Sequence, residues 1–542
     1  MATKNLLLPA VGLGVLAAGS AAAYFYFKSP LGDLNPLATA KVIPENAYLA
    51  AFISTDQQSW SKLEQFGTPE ARQIVNTSIQ NFQQRMLADT QLNYDKDLKP
   101  WVGNVMVALL PAQAGAQKSQ TNMLMVVGIR DKGNALAFAG KLNSQAKTKA
   151  TESDYKGVKI TDFAGEKSST YTAMVKDFLV VSPEKQTVEK AIDTAQGQPS
   201  LASKPDADNL FNRSAEVQNP IARFYVLDYA RAVQEMTAKN SAATPLPSGA
   251  LEQLKQVKSV VGGLGIDGSG LRLKAVANLD TNAKTLEFKP SPGKVISQFP
   301  AETFALTSGQ DISRIWAQTA EQSKANPDSQ KGLDQMRQTT KTIGLDLDKD
   351  VFGWMNGEFG LGLVPATQGL FAQLGFGSAL VLGTSDRSTA EATLSKLDNL
   401  AKSNSIPVQQ RDLQGKKVTE WSIPGQGAFV SHGWLDQGTL FVTFGGPADT
   451  IANKPAQALD SSQIFKDMTS SLPKQGIGYF YVDMDKTVAL INQLSAATQQ
   501  GGIPPETLTL LNSIKGIGAT SVQPNKTIGE FEMLLALKPA TK

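Results

Sequence analysis

The chain repeats one short element about halfway along its length. The sequence DKDLKPWVG runs from Asp95 to Gly103, and DKDVFGWMNG runs from Asp348 to Gly357. Trp354 follows Trp101 by 253 residues, and other paired segments keep offsets between 253 and 262 in the same order. A match that keeps its order over most of a 542-residue chain indicates tandem duplication of a whole domain, not a solenoid of short repeats.

The segments around this element match as well. VIPENAYLAAFIST, from Val42, corresponds to QFPAETFALTSG, from Gln298, and ARFYVLDYARAV corresponds to GYFYVDMDKTVAL. Short runs rich in β-branched and apolar residues alternate with stretches that have helical spacing. Several runs are separated only by turns, which requires antiparallel hairpins. We therefore predict an α+β fold class, with an N-terminal transmembrane helix followed by two tandem homologous domains, each an antiparallel sheet packed with helices.

The domain boundaries follow from the matched segments. We predict a membrane anchor over residues 1–28, a linker over 29–41, a first α+β repeat over 42–285 and a second over 294–542. The stretch between the repeats is rich in Pro, Ser and Gly, as expected of a connection between domains.

The first part of the chain is strongly apolar. Leu6 to Phe27 contains no charged residue, and its 22 residues would span about 33 Å as a helix, enough to cross a bilayer core of about 30 Å. A cleaved signal peptide is the alternative, although the apolar region of such a peptide is usually shorter. The segment predicts a single-pass membrane protein whose partner is the membrane and whose bulk lies in the periplasm or thylakoid lumen.

Composition argues against several classes of function. The chain has no cysteine and one histidine, His432, so Cys-ligated metals, disulfides and thiol nucleophiles are excluded. Its 52 basic and 49 acidic residues give a net charge of +3 without a basic stripe, which argues against a nucleic-acid partner. We predict no cofactor, and we expect His432 at an exposed hairpin turn.

Alternating aspartates precede the second tryptophan. Asp346, Asp348 and Asp350 are spaced like the first ligands of a calcium loop, but Val351 stands where that loop needs glycine. They are weak metal candidates, and we predict no catalytic residue.

The structural interpretation of the repeated element is the stronger one. Asp97 and Asp350 would each cap a short helix, because a carboxylate accepts unpaired backbone N–H groups there. Trp101 and Trp354 would then be buried next to the following core strand.

The duplicated architecture resembles a known family. IPENAYLAAFISTD after a single apolar span, together with the DKD..PW element, is similar to a cyanobacterial membrane-anchored family known only as a domain of unknown function. The resemblance implies an envelope or thylakoid membrane and supplies no catalytic residues.

These observations predict a non-catalytic, membrane-anchored binding or scaffolding protein that presents two duplicated domains and assists membrane protein complexes. Two alternatives stay open, a carrier of a lipid or other apolar ligand and a hydrolase that uses only carboxylates. A packed interface between sheet and helices would favour scaffolding, whereas an apolar cavity of several hundred Å³ would favour a carrier. Facing buried carboxylates would favour an enzyme.

Overall fold

The structure is a computed structural model. It describes residues 35–87, 94–111, 122–145, 150–164, 169–204, 210–211, 216–239, 251, 254–280, 288–324, 326–453, 455–498 and 502–541. The chain forms two compact units. The first ends at Asp280, apart from the last residues of the chain from Ala540 onward, and the second covers Thr281–Pro539.

Antiparallel strands dominate the first unit. They are β1 (Leu49–Ile53), β2 (Val102–Leu110), β3 (Asn122–Ile129), β4 (Ala150–Tyr155), β5 (Val158–Ala164), β6 (Ser169–Val175), β7 (Phe178–Ser182), β8 (Pro220–Val226), β9 (Val257–Asp267) and β10 (Gly270–Leu279). Their pairing gives the order β4-β5-β6-β7-β3-β2-β1-β8-β9-β10.

The second unit repeats this arrangement strand for strand. Its strands are β11 (Ala305–Gln310), β12 (Glu358–Pro365), β13 (Phe376–Gly383), β14 (Val408–Leu413), β15 (Lys416–Ile423), β16 (Gly427–Trp434), β17 (Thr439–Phe444), β18 (Tyr479–Asp483), β19 (Ile514–Asn525) and β20 (Ile528–Leu537). The order is β14-β15-β16-β17-β13-β12-β11-β18-β19-β20. Each strand therefore has the same neighbours as its counterpart in the first unit.

Helices connect the strands in both units. Those of the first unit are α1 (Pro36–Ala40), α2 (Gln57–Ser61), α3 (Pro69–Leu87), α4 (Lys132–Gln145), α5 (Lys185–Ala195) and α6 (Tyr229–Lys239). Those of the second are α7 (Ile312–Ser323), α8 (Pro327–Thr342), α9 (Arg387–Ser403), α10 (Ala448–Ala452), α11 (Gln463–Thr469), α12 (Met484–Thr498) and α13 (Pro505–Asn512).

Short polar side chains fix where several helices begin. The carboxylate of Asp386 accepts the Thr389 N–H at the start of α9, and the side chain of Asn326 accepts two N–H groups at the start of α8. Proline follows Asn326, where its missing N–H costs nothing.

Each unit has a hydrophobic core on one face of its sheet. In the first unit, Met106, Leu124, Val126 and Tyr225 are fully buried, and α1 and α5 contribute to the same cluster. In the second unit the cluster includes Val364, Val381, Phe441 and Tyr481, together with side chains from α10 and α11.

The prediction of a membrane-spanning helix is corrected. The segment Leu6 to Phe27 lies outside the described residues, and within those residues no helix is both long and apolar enough to cross a membrane. The predicted fold class, the membrane as a partner and the single-pass location all included that helix, so none of them is supported. What the structure shows is antiparallel sheet with helices. The predicted linker over residues 29–41 contains α1, whose Ala40 lies in the core.

Candidate functional site

The repeated tryptophans occupy equivalent places in the two units. A short π-helical turn precedes each one, Tyr94–Leu98 in the first unit and Leu347–Phe352 in the second. Trp101 is 2% exposed and Trp354 is 4% exposed. Each indole Nε1 donates to the backbone carbonyl oxygen of the aspartate four residues earlier, Asp97 or Asp350, and both distances are 2.7 Å. The indole is thus buried while its only polar group is satisfied by its own turn.

The predicted capping role belongs to a different aspartate in the second unit. The carboxylate of Asp346 accepts the N–H groups of Asp348 and Lys349, both at 3.0 Å, and so caps the turn. Asp350 lies inside the turn, where its carboxylate accepts the Asp346 N–H at 3.1 Å. The sequence predicts Asp350 at the cap, because the repeated pattern does not show at which residue the turn begins.

The aspartate of each repeated element also forms an ion pair with the following helix. Asp97 pairs with Lys141 of α4 at 2.7 Å, and Asp350 pairs with Lys396 of α9 at 2.8 Å. The Lys396 ammonium lowers the pKa of Asp350 below its usual value, as does the bond from the Asp346 N–H. In both units the aspartate therefore ties the turn to a helix.

The three weak metal candidates, Asp346, Asp348 and Asp350, each bind a different group of the protein. Asp348 forms a bidentate pair with Arg337, with distances of 2.8 and 3.1 Å, and accepts the indole N–H of Trp316 at 2.8 Å. The bonds from Arg337 lower the pKa of the Asp348 carboxyl. Across the described parts of the chain, no group of three or more His, Cys, Asp or Glu side chains is arranged to hold a metal ion.

An open groove of about 500 Å³ lies beside Asp348, lined by residues of α7 and α8 among others. Trp316 lines it and stacks on Phe352, with ring centroids 4.1 Å apart. Two pairs of charges in the lining already neutralise each other, Arg337 with Asp348 and Lys324 with Glu321. A charged ligand would have to displace these pairs, so the lining of the groove does not favour an ion.

His432 lies in a different environment from the exposed turn that we predicted. It sits within β16, is 7% exposed and lies with its Nε2 2.9 Å from Asp398 of α9. The same Asp398 oxygen accepts the indole N–H of Trp421 at 2.7 Å. This polar contact fastens α9 onto the sheet.

The second face of the sheet in the second unit is apolar and partly open. Leu361, Leu363, Phe444 and Phe480 are 45%, 37%, 45% and 42% exposed. Strand pairing places them in two adjacent rows, because directly paired residues point to the same face. One row is Val442-Leu380-Leu361-Thr307-Phe480, and the other is Phe444-Ser378-Leu363-Ala305-Val482. We call these ten residues the open sheet face.

Strand β12 places its side chains in an unexpected way. Its leucines, Leu361 and Leu363, lie on the open sheet face, whereas Gly360 and Gly362 lie on the core face. The glycines are needed because the buried ring of Phe299 covers them. A Cβ atom on either glycine would come within 2.7 Å of that ring. The two leucines of this strand are therefore exposed, whereas Val364 faces the core.

Buried clusters border the open sheet face on one side. The next row of the same face contains Leu382 and Leu440, which pack with Trp354 and with Ala390 of α9. The repeated tryptophan thus supports one border of the face. On the other side lies Phe376, which points to the same face as Ser378 and Leu380 because side chains alternate along β13. Its ring centroid is 6.1 Å from that of Phe371. The open sheet face between these packed side chains is called the trough below.

The first unit carries related residues on the corresponding face. Val107, Leu109, Met125 and Phe224 are all partly exposed. Val107 pairs with Met125 in the same way as Leu361 pairs with Leu380. Leu109, however, packs with Tyr48 and Ala232, so the face is better covered here.

The fold and this site define a protein of two like units built on antiparallel sheets, with an open apolar face in the second unit. The chain belongs to the family described as "Protein of unknown function (DUF3352)", whose family model matches residues 10–537. This match confirms the predicted resemblance to a family known only as a domain of unknown function. A cyanobacterial origin is not shown.

No curated protein matches the chain significantly. Among solved structures, crystal form IV of TP0453 is 9% identical, covers 44% of this chain and 79% of its own, and has a TM-score of 0.26. Crystal form III of the same protein is 12% identical, with coverages of 46% and 81% and a TM-score of 0.27. Such low TM-scores carry no argument about fold or function.

The open sheet face is not predicted by the sequence pattern. The alternation in EFGLGLVP predicts a strand, but it does not say which face is covered. One signal was available, since residues 359–385 contain no Asp, Glu, Lys or Arg. An uncharged stretch of this length is unusual for a strand pair that has one face toward water.

Proposed function

We propose that this protein is a non-catalytic binding or scaffolding protein, and that it acts through the apolar sheet face of its second unit. The observation that carries the proposal is the open sheet face of the second unit. Exposed apolar patches of this kind, bordered by packed side chains, are typical of interaction sites. The membrane anchor of the sequence prediction has no part in this proposal.

The sites that sequence analysis singled out support a structural role for the repeated element. Trp101 and Trp354 are buried. Asp97 and Asp350, which precede them, form ion pairs with lysines of the following helices. The groove beside Asp348 is lined by charged pairs, which does not favour the alternative of an apolar ligand carrier. The cyanobacterial origin implied by the resemblance remains a proposal as well.

Paired substitutions test the function. Leu361→Gln combined with Phe444→Gln should leave the chain folded, because both side chains are more than a third exposed. Met336→Gln is the matched control, since Met336 is 50% exposed on α8, outside the open sheet face. Tagged full-length proteins would be captured from the cells that make them, and the associated proteins and lipids quantified by mass spectrometry.

The expected result is that wild type and Met336→Gln retain the same protein partners, and the double variant loses them. An unchanged set of partners in the double variant would refute the proposal. Loss of a bound lipid instead of a protein would replace it with the carrier alternative.

A further inference from the structure

The open sheet face has the dimensions of a particular kind of partner. Its rows cross five strands, from β17 to β18. At about 4.8 Å per strand the face is roughly 19 Å long, and its two rows lie roughly 7 Å apart. A helix of about 13 residues covers the same length at 1.5 Å per residue, and its body is about 10 Å wide.

The exposed area argues against a dimer formed through this face alone. From the exposed fractions of Leu361, Leu363, Phe444 and Phe480, the apolar area is roughly 300–400 Å², taking about 150–250 Å² for each large side chain. A stable dimer buries about 800 Å² on each partner. The patch is therefore large enough to receive one element of a partner and too small to hold a second copy of the chain.

The shape of the trough argues against a lipid chain. Sites for small apolar ligands enclose about 70–90% of the ligand surface. Both the central Leu361 and the terminal Phe444 and Phe480 are exposed, so the face is open along its whole length. An occupant would therefore contact the sheet on one side and water on the other. An occupant with one apolar side and one polar side suits such a site.

The absence of charge favours the same occupant. None of the ten residues of the open sheet face is charged, and the hairpin that supplies β12 and β13 is uncharged from residue 359 to residue 385. Recognition here depends on apolar contact and not on ion pairs. An extended strand would add at a sheet edge, whereas this site is the face of a sheet whose central strands are paired on both sides.

We infer that the open sheet face of the second unit binds an amphipathic helix of a partner protein, with the apolar stripe of the helix against Leu361, Leu363, Phe444 and Phe480. This inference rests on the proposed binding function and specifies the class of partner. The stripe would repeat at i, i+3, i+4 and i+7, the spacing that places side chains on one side of a helix.

Site-specific cross-linking of the full-length chain tests the inference. The photoreactive residue benzoylphenylalanine would replace Leu361, Phe444 or Phe480, one per variant, in the cells that make the protein. Met336 provides the control position, being exposed and apolar but on α8. After irradiation, mass spectrometry identifies the cross-linked peptides.

The three trough positions should cross-link to one partner segment, and the control position should not. Because Leu361 lies two strands from Phe444 and from Phe480, its contacts should be about seven helical residues from theirs, and the contacts of the two end positions should be about thirteen residues apart. A synthetic peptide of that segment should bind the purified protein, and Glu in its apolar stripe should weaken binding at least about tenfold. Contacts about three residues apart between neighbouring positions, as an extended segment would give at about 3.3 Å per residue, would overturn the helix inference but leave a binding function. Contacts with the same chain or with a lipid would do the same. No cross-link at any trough position would overturn both.

Discussion

At the scale of the residue, each repeated tryptophan combines a large buried surface with an internally satisfied indole. Trp354 donates to the Asp350 carbonyl, which also accepts the Thr393 hydroxyl at 2.6 Å. It packs with Leu382 and Leu440 beside the open sheet face. Loss of volume should therefore matter more than loss of the hydrogen bond, because the carbonyl keeps a second donor.

Trp354→Ala should destabilise the second unit by about 3–5 kcal/mol, as expected for deletion of a large buried side chain. Trp354→Phe retains most of the volume. It should lower the free energy of unfolding by about 1 kcal/mol, the usual contribution of one hydrogen bond. The urea dependence of hydrogen exchange in peptides of the second unit measures both. Equal costs for the two variants would show that the hydrogen bond dominates.

Asp350→Ala provides the comparison within the same element. Its carboxylate and Lys396 are 24% and 47% exposed, so the pair is screened by water. We expect a cost of about 1 kcal/mol or less, as for exposed ion pairs. A cost larger than that of Trp354→Ala would contradict the assignment of tryptophan as the main stabilising residue.

The sequence predicted the recurrence of the aspartate and tryptophan but not the partners of the aspartate. Asp97 and Asp350 recur with the same spacing, which is visible in one dimension. Their pairing with Lys141 and Lys396 depends on where the next helix crosses the turn. The burial of His432 similarly depends on Asp398, which lies 34 residues away on another element.

At the scale of the element, β12 shows how glycine can decide the orientation of a strand. Gly362 faces the fully buried ring of Phe299 and the carbonyl of Ala305, and only a hydrogen fits there. Because side chains alternate along a strand, the neighbouring leucines must then face outward. The open sheet face is thus a consequence of close packing on the opposite side.

Gly362→Ala should destabilise the second unit by about 1–3 kcal/mol, the usual cost of overpacking a core. The new methyl would lie 2.7 Å from Phe299 and 3.3 Å from the Ala305 carbonyl oxygen. Leu361→Thr, one position away but on the open face, should change stability by about 0.5 kcal/mol or less. Urea unfolding followed by circular dichroism compares the two.

A second variant identifies the cause of the Gly362→Ala effect. Adding Phe299→Leu removes the ring that the methyl would meet. The combined cost should be smaller than the sum of the separate costs. Additive costs would mean that the glycine acts through backbone freedom and not through contact with Phe299.

At the scale of the whole molecule, the two units share one order of ten strands. The central strands β1, β2 and β3 correspond to β11, β12 and β13, and each has a paired strand on both sides. Among the described residues, β4 and β14 each pair with one strand only. The backbone amides that are best protected from hydrogen exchange should therefore lie at equivalent positions in the two units, and so should the least protected ones.

Hydrogen exchange across the full chain should show this symmetry. Peptides from β2 and β12 should exchange slowest, because local opening there breaks two ladders. Peptides from β4 and β14 should exchange fastest among the strands. Mass spectrometry resolves these segments, and a protection pattern in one unit that bears no relation to the other would contradict the equivalence of the units.

Much of this arrangement can be predicted from the sequence, and some cannot. Matched segments at offsets near 255 indicate that the copies share a topology, and turns between short apolar runs indicate hairpins. The order of strands cannot be read from these patterns, because β3 pairs with β7 across four intervening elements. The prediction of a membrane helix rests on the apolarity of Leu6 to Phe27 alone, and no helix among the described residues is long and apolar enough to cross a membrane.

The uncharged hairpin of the second unit also has a consequence for how the chain reaches its folded state. Residues 359–385 leave the ribosome without a single charge to keep neighbouring chains apart, and they include two strands. Segments of this kind tend to stack between molecules, and natural proteins usually guard them with charged residues. Glu358 precedes this segment, and Asp386 and Arg387 follow it. Its six glycines and Pro365 add to that protection, because both residue types disfavour regular stacking. The glycines that allow the leucines to be exposed in the folded protein therefore also make the unfolded segment less suited to stacking between chains.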